Sequence, residues 1–242
     1  MNFLRFSDSM PDSSDVKDDT IIYRYFSYCK LKKLFEDSSI YFCNAECFKD
    51  KRERQIPQSY YDMVEKKTSK DQSEMKKKID DSDRNYVKSY VTCWTTESDN
   101  YAFWEIYTPD ADGIMIKTTV GKLKAMFDMS KVLVTCVEYP KRTEENNGVS
   151  RVTFAGNAMP KSIPIAEKYK IHSYNNEKEI RFIMYSKEDE KGYNYKLADL
   201  NFIEEFMISP FANDSMSSVI RNLITRYFPE AIIRTSEIEE SE

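Results

Sequence analysis

The stretch HSYNNEKEIRFIMYS, residues 172–186, contains the most strand-like apolar run in the C-terminal half of the chain. Two glutamates, Glu177 and Glu179, stand two positions apart where that run begins. Successive side chains of an extended strand alternate between its two faces. Both carboxylates are therefore predicted to point the same way, with Arg181 next in line on that face.

The glutamate pair has two interpretations. Two carboxylates at the mouth of a strand suit the stabilisation of a developing sugar cation by one group and the activation of an acceptor by the other. Alternatively, they are ordinary solvated charges, because the same Glu-x-Glu spacing recurs at 188/190, 237/239 and 240/242. What distinguishes the pair at 177/179 is its position at the start of an apolar strand.

Strand-like and helix-like segments alternate irregularly along the rest of the chain. The β-branched and aromatic segments TIIYRYF (20–26) and SYVTCWTT (89–96) predict strands, as do GIMIKTT (113–119) and KVLVTCVEYP (131–140). Strands and helices interleave without a regular order. The sequence therefore predicts an α+β fold with mixed, mostly antiparallel sheets and peripheral helices, rather than a doubly wound sheet.

Capping residues and apolar periodicity predict the helices. Ser98 is the predicted cap of a short helix that contains Trp104, and Asp214 or Ser215 is the predicted cap of the last helix. The first helix is predicted to bury Leu31, Leu34 and Phe35. The last helix is predicted to bury Val219, Ile220, Leu223, Ile224 and Tyr227.

Charge and composition predict three regions. Residues 1–19 are predicted to be a mobile lead-in, because 7–19 read SDSMPDSSDVKDD and are polar and acidic. Residues 20–236 are predicted to form a single α+β domain, in which 61–88 is an exposed, charged helical insertion with a near-neutral balance of charges. Residues 237–242 are predicted to be a solvated tail.

Composition disfavours several classes of function. The 36 lysines and arginines against 41 acidic residues give a net charge of −5, which disfavours non-specific binding of nucleic acid. With only 5 glycines, the chain contains neither GxxxxGK nor GxGxxG. Cys43 and Cys47 lack a second Cys/His pair, so no metal site is predicted. His172 is the only histidine, and no nucleophile stands beside it.

No signal peptide or membrane span is predicted. The opening MNFLRFSDSMPDSSD, residues 1–15, turns polar too early for an apolar signal core. The longest apolar runs fall short of the ~18 residues that a membrane helix needs. We therefore expect a cytoplasmic protein without a membrane partner, whose 5 cysteines are small buried hydrophobes.

Two further elements are candidates for a binding site. CWTTES, residues 93–98, ends a strand with Thr95 and Thr96, whose hydroxyls suit sugar binding, the bracing of a strand, or a turn or helix cap. Arg24 lies within the aromatic strand IYRYF. An arginine in such a strand is expected to meet an anionic ligand or to form a salt bridge with an acid such as Glu179.

The order of these elements resembles a bacterial family known as domain of unknown function 2971. The resemblance rests on YRYF…LKKLFEDSSIYFCNAECFKD, then VTCWTTESDNYAFWEIYTPDADGIMIK, then NNEKEIRFIM, and covers most of residues 20–236. The chain departs from the family pattern in three places. CFKDKRE lacks the Asn and Pro of a loop, Thr95 or Thr96 replaces a serine, and Ile180 replaces an aromatic residue.

The same elements, in the same order, resemble the Arg / Ser-Thr-Ser / Glu-x-Glu triad of ADP-ribosyltransferases. That resemblance implies a split-sheet core in which Glu179 stabilises an oxocarbenium-like transition state and Glu177 positions or activates the acceptor. Aromatic residues near the triad would stack on nicotinamide or belong to the core. The residues that it implies for binding NAD are Arg24, Thr95, Thr96, Trp104, Tyr107 and Arg181.

Three functions follow as hypotheses. The first is an NAD-consuming enzyme that transfers ADP-ribose to a protein or nucleic-acid acceptor or hydrolyses NAD, without a metal, in a bacterial defence or toxin system. The second is a non-catalytic module that senses a nucleotide or pairs with a protein. The third is a metal-dependent nuclease, in which Asp50 and Glu53 would join the pair at 177/179.

Overall fold

The computed structural model describes residues 1–7, 16–50, 53, 58, 61, 62, 87–141, 150–156 and 162–238. The strands in these ranges are β1 (Ile21–Ser27), β2 (Ser39–Asn44), β3 (Lys88–Thr95), β4 (Gly113–Thr119), β5 (Leu133–Cys136), β6 (Arg151–Thr153), β7 (Ser162–Pro164), β8 (Glu179–Ser186), β9 (Gly192–Lys196), β10 (Glu205–Ile208) and β11 (Ile233–Thr235). The α-helices are α1 (Tyr28–Asp37), α2 (Tyr101–Tyr107), α3 (Val120–Lys124) and α4 (Asp214–Tyr227). Short 3₁₀ helices span Ala45–Cys47, Ala166–Lys168 and His172–Glu177.

The predicted α+β class with mixed, mostly antiparallel pairing is confirmed. The pairs β1–β3, β1–β4, β4–β10, β2–β3, β5–β8 and β6–β7 are antiparallel. The pair β10–β11 is parallel. No described helix has both the length and the apolar character that crossing a membrane requires.

The chain divides into two compact units. The first comprises Met1–Val16, Tyr41–Cys93 and Asp128–Tyr193, and the second comprises Lys17–Ile40, Trp94–Phe127 and Asn194–Glu242. The predicted site residues are distributed between them. Those in the first unit are Glu177, Glu179 and Arg181; those in the second are Arg24, Thr95, Thr96, Trp104 and Tyr107.

The first unit is organised around β8. This strand pairs with β3 and with β5, where Leu133 lies opposite Ile183. All of β8 is buried, including the charged side chains of Glu179 and Arg181. Burial of charged groups is costly unless partners are supplied within the protein, and those partners form the candidate site described below.

The N-terminal residues of the first unit are attached to its core. Phe3 forms an isolated β-bridge with Ser186, and Phe6 forms one with Phe154. Phe6 is buried and its ring stacks on that of Phe154 at a centroid distance of 6.0 Å. Within the predicted lead-in 1–19, the ring of Phe6 thus contributes to the apolar cluster that surrounds β8.

The predicted boundaries at 19 and 236 stay predictions. Of the predicted helical insertion 61–88, the described residues are 61, 62, 87 and 88, of which Tyr61 and Asp62 are helical and Lys88 begins β3. The rest of the insertion lies outside the described residues. Of the predicted tail 237–242, the structure describes residues 237 and 238.

The second unit is built on β1. This strand pairs with β4 along its whole length, and with β3 where Tyr23 lies opposite Thr95. β10 lies on the other side of β4, and β11 follows beyond it. Helix α2 packs on this sheet through Trp104, whose ring lies edge-on to Tyr25 at a centroid distance of 4.7 Å.

Two predicted helix caps are wrong by one or two residues. Asn100, not Ser98, caps α2, because its side chain accepts a hydrogen bond from Phe103 N at 3.3 Å. Asn213, not Asp214 or Ser215, caps α4 and accepts from Met216 N at 2.9 Å. In both cases the asparagine stands directly before the helix, where its side-chain oxygen reaches the exposed N–H groups of the first turn.

The buried faces of the helices are partly as predicted. Helix α1 buries Leu31, Leu34 and Phe35, as its periodicity indicates. Helix α4 buries a narrower stripe than predicted, made of Ile220, Leu223 and Ile224. Val219 and Tyr227 lie at the edges of that stripe and are exposed.

Asp99 fixes the C-terminal segment of the second unit. Its Oδ1 accepts hydrogen bonds from Trp104 Nε1 at 2.9 Å and from Ser236 Oγ at 2.6 Å, and its Oδ2 accepts from Glu237 N at 2.8 Å. Its backbone is left-handed, with φ of 44°, a conformation that aspartate tolerates better than most residues. One carboxylate thus ties the loop before α2 to the last described residues.

Asp99→Ala is expected to destabilise the protein by about 2 kcal/mol, because the buried Trp104 N–H loses its acceptor and the C-terminal segment loses two hydrogen bonds. Urea denaturation measures the loss. Asp110→Ala, an exposed aspartate in the loop after α2, is the control and should leave the midpoint unchanged. Equal stability of the two variants would contradict this role for Asp99.

Candidate functional site

The two predicted catalytic glutamates do not share one strand. Glu177 ends the 3₁₀ helix His172–Glu177, and Glu179 begins β8. Lys178, between them, takes a left-handed conformation with φ of 40° and ψ of 53°. The prediction that both glutamates lie in an extended strand is therefore wrong, because the left-handed residue interrupts the alternation of side chains.

The turn nevertheless brings both carboxyl groups to one ammonium group. Lys170 Nζ contacts Glu177 Oε2 and lies 2.9 Å from Glu179 Oε1. It also lies 3.3 Å from Glu53 Oε1 and 4.4 Å from the centre of the Tyr174 ring. Lys170 is therefore the centre on which three carboxyl groups converge.

Arg181 binds two of these three carboxyl groups, those of Glu179 and Glu53. Its Nε donates to Glu179 Oε2 at 2.7 Å, and its Nη2 donates to Glu53 Oε2 at 2.7 Å. Its Nη1 donates to the backbone oxygen of Glu167 at 3.0 Å. The Arg181 side chain is 1% exposed. Glu179 and Arg181 share one face of β8, as residues two apart in a strand should.

Together these side chains form a buried ion network, defined as Glu53, Lys170, Glu177, Glu179 and Arg181. Its two cations balance the negative charges of two carboxylates. The third carboxyl group is that of Glu177. Burial would by itself raise the pKa of Glu179, but the charges of Arg181 and Lys170 and a hydrogen bond from Glu177 hold that pKa well below its ordinary value. Glu179 is therefore ionised at neutral pH.

Glu177 behaves in the opposite way. Its burial, followed by its hydrogen bond to Glu179, raises its pKa from 4.5 to about 7, although Lys170 acts to lower it. A carboxyl with that pKa exchanges a proton near neutral pH. The pair thus consists of one group that stays ionised and one that can accept or release a proton.

The native protein is expected to lose stability as pH rises from 4.5 to about 7, and the Glu177→Gln variant is expected not to show this pH dependence. A carboxyl with a higher pKa in the folded than in the unfolded chain binds its proton more tightly when folded, so stability falls as pH rises through that window. Urea denaturation at both ends of the window measures the change. Glu190→Gln, an exposed glutamate of the Glu-x-Glu at 188/190, should keep the native slope, and a native slope in Glu177→Gln would contradict the assignment.

Other groups orient the beginning of β8. The backbone N–H of Glu179 donates to Tyr139 Oη at 2.9 Å, and His172 Nδ1 lies 3.0 Å from the backbone oxygen of Tyr139. Burial, followed by the charge of Glu179, raises the pKa of the Tyr139 hydroxyl. Tyr139 therefore remains neutral while it accepts the hydrogen bond from the strand.

Arg24, in the second unit, lies among aromatic rings. Its Cζ is 5.1 Å from the centre of the Phe26 ring and 5.8 Å from that of Trp94. Phe26 is two residues further along β1 and so shares a face with Arg24. A guanidinium at these distances is attracted by the faces of the rings.

Thr95 and Thr96 lie at the end of β3. Thr95 is the last residue of the strand and is buried, and its Oγ1 accepts a hydrogen bond from Glu97 N at 3.0 Å. Thr96 follows the strand and is half-buried. This hydrogen bond between the Thr95 hydroxyl and the backbone two residues later forms a turn, which is one of the roles that the sequence allowed for the hydroxyl.

Trp104 and Tyr107 differ in exposure. Trp104 is completely buried against Tyr25 and belongs to the core, whereas Tyr107 is 43% exposed. Tyr25 is adjacent to Arg24 in β1, so their side chains lie on opposite faces of that strand. Trp104 therefore packs on the face opposite Arg24, and the NAD-binding residues predicted in the second unit do not share one face of its sheet.

Sequence reasoning missed Lys170 as a site residue. The signal was present in IPIAEKYKI, residues 163–171, where charged residues occur within an apolar run. Glu167, Lys168 and Lys170 are all buried. Glu167 accepts hydrogen bonds from Ser89 Oγ at 2.6 Å and Tyr185 Oη at 3.1 Å. Buried charges in an apolar segment indicate partners within the fold.

The acids invoked for a nuclease are partly brought together. Glu53 joins Glu177 and Glu179, as that hypothesis requires, but the three carboxyl groups surround the cations Lys170 and Arg181. Within the ranges that the structure describes, no group of three or more His, Cys, Asp or Glu side chains is arranged to hold a metal ion. The carboxyl groups of Glu53, Glu177 and Glu179 are instead paired with cations.

Comparison with known proteins gives few matches. No family model matches the chain, so the resemblance to domain of unknown function 2971 is not confirmed, and no curated protein matches it either. Solved structures of DarT from Thermus sp. 2.9 do match. The complex with ADP-ribosylated ssDNA shares 10% identity at a TM-score of 0.39, covering 91% of this chain and 94% of that chain.

Two further DarT structures from Thermus sp. 2.9 are similar. The complex with NAD+ shares 11% identity at a TM-score of 0.39, with 91% of this chain and 96% of that chain covered. The complex with carba-NAD+ shares 11% identity at a TM-score of 0.38, with 90% and 96% covered. At such identities, the function of this chain has to be argued from its own residues.

Proposed function

We propose that the chain is an NAD-consuming enzyme of the ADP-ribosyltransferase type, with Glu179 and Glu177 as its catalytic carboxyl pair. The observation that carries the proposal is the opposite direction of the pKa shifts of the two glutamates. Two carboxyl groups share the Lys170 ammonium, yet one is held ionised and the other titrates near neutral pH. Paired carboxyl groups whose pKa values differ in this way are typical of sites where one group stabilises charge and the other transfers a proton.

The proposed reaction uses both groups. The bond between the ribose C1′ and the nicotinamide nitrogen breaks, nicotinamide leaves with the bonding electrons, and positive charge develops on the ribose. The ionised Glu179 stabilises that charge. A nucleophilic oxygen or nitrogen of the acceptor forms the new bond to C1′, and its proton passes to Glu177. The sole histidine is not needed, because the leaving group departs neutral without receiving a proton.

The remaining roles that the resemblance implies are part of the same proposal. Arg24, Thr95, Thr96 and Tyr107 stay predictions as contacts to NAD. Tyr107 suits stacking on nicotinamide better than Trp104, because Tyr107 is exposed and Trp104 is not. Arg181 is engaged by Glu179 and Glu53 and orients them, rather than binding the nucleotide directly. The acceptor is a protein, a nucleic acid or water, and a role in bacterial defence or as a toxin fits that chemistry.

One observation favours a second candidate, a non-catalytic module that senses a nucleotide. Both carboxylate oxygens of Glu179 already bind cations, and its side chain is 8% exposed. In a module of this kind the ion network would only stabilise the fold. Calorimetry separates the two functions, because a sensor would bind NAD stoichiometrically while releasing no nicotinamide over hours.

The deciding experiment incubates the full chain with NAD labelled separately in the nicotinamide and in the adenylate phosphate. The proposed enzyme releases free nicotinamide and transfers the phosphate label to added protein or nucleic acid, or leaves it on free ADP-ribose. The Glu190→Gln variant, altered at an exposed Glu-x-Glu outside the network, should retain the native rate. Intact NAD after prolonged incubation with a folded native protein would overturn the proposal.

A further inference from the structure

Lys170 is held rigidly at the centre of the ion network. Its backbone N–H donates to the backbone oxygen of Glu138 at 3.0 Å, so the stem of the side chain begins from a fixed point. Its side chain is 6% exposed, and the ring of Tyr174 lies against its ammonium group. Because such a lysine cannot move freely, the carboxyl groups bound to it are held in place as well.

We propose that Lys170 is the positioning residue of the carboxyl pair, whose single ammonium group holds Glu177 and Glu179 together as one acid–base unit. Glu177 and Glu179 both contact the same nitrogen, whereas Arg181 contacts Glu179 and Glu53. Lys170 is therefore the cation of the network that joins the two halves of the pair. The inference deepens the proposed function and rests on it for its catalytic consequence.

The electrostatic role of Lys170 follows from its neighbours. Burial alone would lower its pKa, but the surrounding carboxyl groups, led by Glu179, raise it, so the ammonium stays charged. Among the described residues, other titratable side chains near the pair include Tyr174 against the Lys170 ammonium, the Cys93 thiol on β3 and the Tyr139 hydroxyl after β5. Burial, followed by the charge of Glu179, raises the pKa of Cys93 and that of Tyr139. Neither group is charged at neutral pH. Burial and Glu179 raise the pKa of Glu177, and Lys170 is the neighbour that lowers it.

The native protein supplies the first test. Lysine Nζ and glutamate carboxyl resonances are followed by NMR as a function of pH, without NAD. The Nζ resonance of Lys170 should inflect at the same pH as the carboxyl of Glu177, because the two atoms are in contact. The Nζ resonance of Lys168, which pairs with Glu138 at 3.0 Å and is also buried, should not. Different midpoints for Lys170 and Glu177 would overturn the proposal.

Variants supply the second test. Lys170→Met removes the charge and should move the Glu177 midpoint upward by about one pH unit, as expected for the loss of an opposite charge in contact. The rise of nicotinamide release with pH, which requires ionised Glu177, should move upward by the same amount. Lys170→Arg should restore both midpoints toward the native values. Lys168→Met is the matched control and should leave both midpoints where they are in the native protein.

A purely structural role would give a different pattern. It would lower the denaturation midpoint of Lys170→Met without moving either pH midpoint, and that result would overturn the proposal. Titration of Lys170 with Glu177 in a native protein that releases no nicotinamide would support the positioning of the pair and overturn the proposed function alone. The two failures are therefore distinguishable.

Discussion

Replacing Glu179 with glutamine is expected to lower the rate of nicotinamide release by about 10²–10³-fold, the usual effect of removing one preorganised electrostatic group. Glutamine keeps the shape of the side chain but cannot oppose the positive charge that develops on the ribose. The binding of NAD should change much less than the rate, because the substrate carries that charge only in the transition state. Single-turnover measurement of nicotinamide release tests the expectation.

The ion network also predicts how the protein tolerates Glu179→Gln. Without Glu179, the cations Lys170 and Arg181 face Glu53 and Glu177, and Glu177 then ionises to supply the missing charge. The fold should therefore persist, with a lower pKa for Glu177 than in the native protein. Glu190→Gln is the control for loss of one exposed carboxylate and should keep full activity. A folded Glu179→Gln variant with native activity would contradict the catalytic assignment.

Replacing Arg181 with methionine is expected to destabilise the protein by about 3–5 kcal/mol, the usual cost of breaking a buried ion pair by removing one partner. Arg181 donates to Glu179, to Glu53 and to the backbone of Glu167, and all three acceptors would lose a hydrogen bond. Methionine preserves most of the apolar volume, so the effect reports the lost charge. Urea denaturation at neutral pH measures it.

Arg234→Met is the matched control for that variant. Arg234 also binds a glutamate through its Nε, at 3.0 Å from Glu205 Oε1, but its side chain is 61% exposed. Exposed ion pairs contribute about 0–1 kcal/mol, so this variant should unfold near the native midpoint. Equal destabilisation by Arg181→Met and Arg234→Met would show that the buried network contributes no more than a surface pair.

Much of the fold could be predicted because strands of this chain have clear local signals. The aromatic and β-branched segments gave β1, β3, β4 and β5, and the apolar spacing of α1 gave its buried face. Each of these features depends on residues close together in sequence. The caps of α2 and α4 were misplaced by one or two residues, because several capping residue types stand side by side at both helix starts.

The candidate site was less predictable, because its members are distant in sequence. Glu53 reaches Arg181 across 128 positions, and no local pattern connects them. The left-handed turn at Lys178 has no signal either, since lysine is not a residue that favours it. Likewise, the alternation of side chains along β1 predicts that Arg24 and Tyr25 lie on opposite faces of the strand. It does not predict on which face Trp104 packs, because that depends on the packing of α2.

The turn at Lys178 also restricts which other chains could carry the same arrangement. A β-branched residue at the middle of Glu-x-Glu strongly disfavours positive φ, so a chain with valine or isoleucine there would keep an extended backbone in place of the left-handed turn. Glycine or asparagine would adopt the turn at little cost. Two features are therefore more informative in a search for relatives than the two glutamates alone. They are the type of residue between the glutamates and a lysine seven positions before the first glutamate.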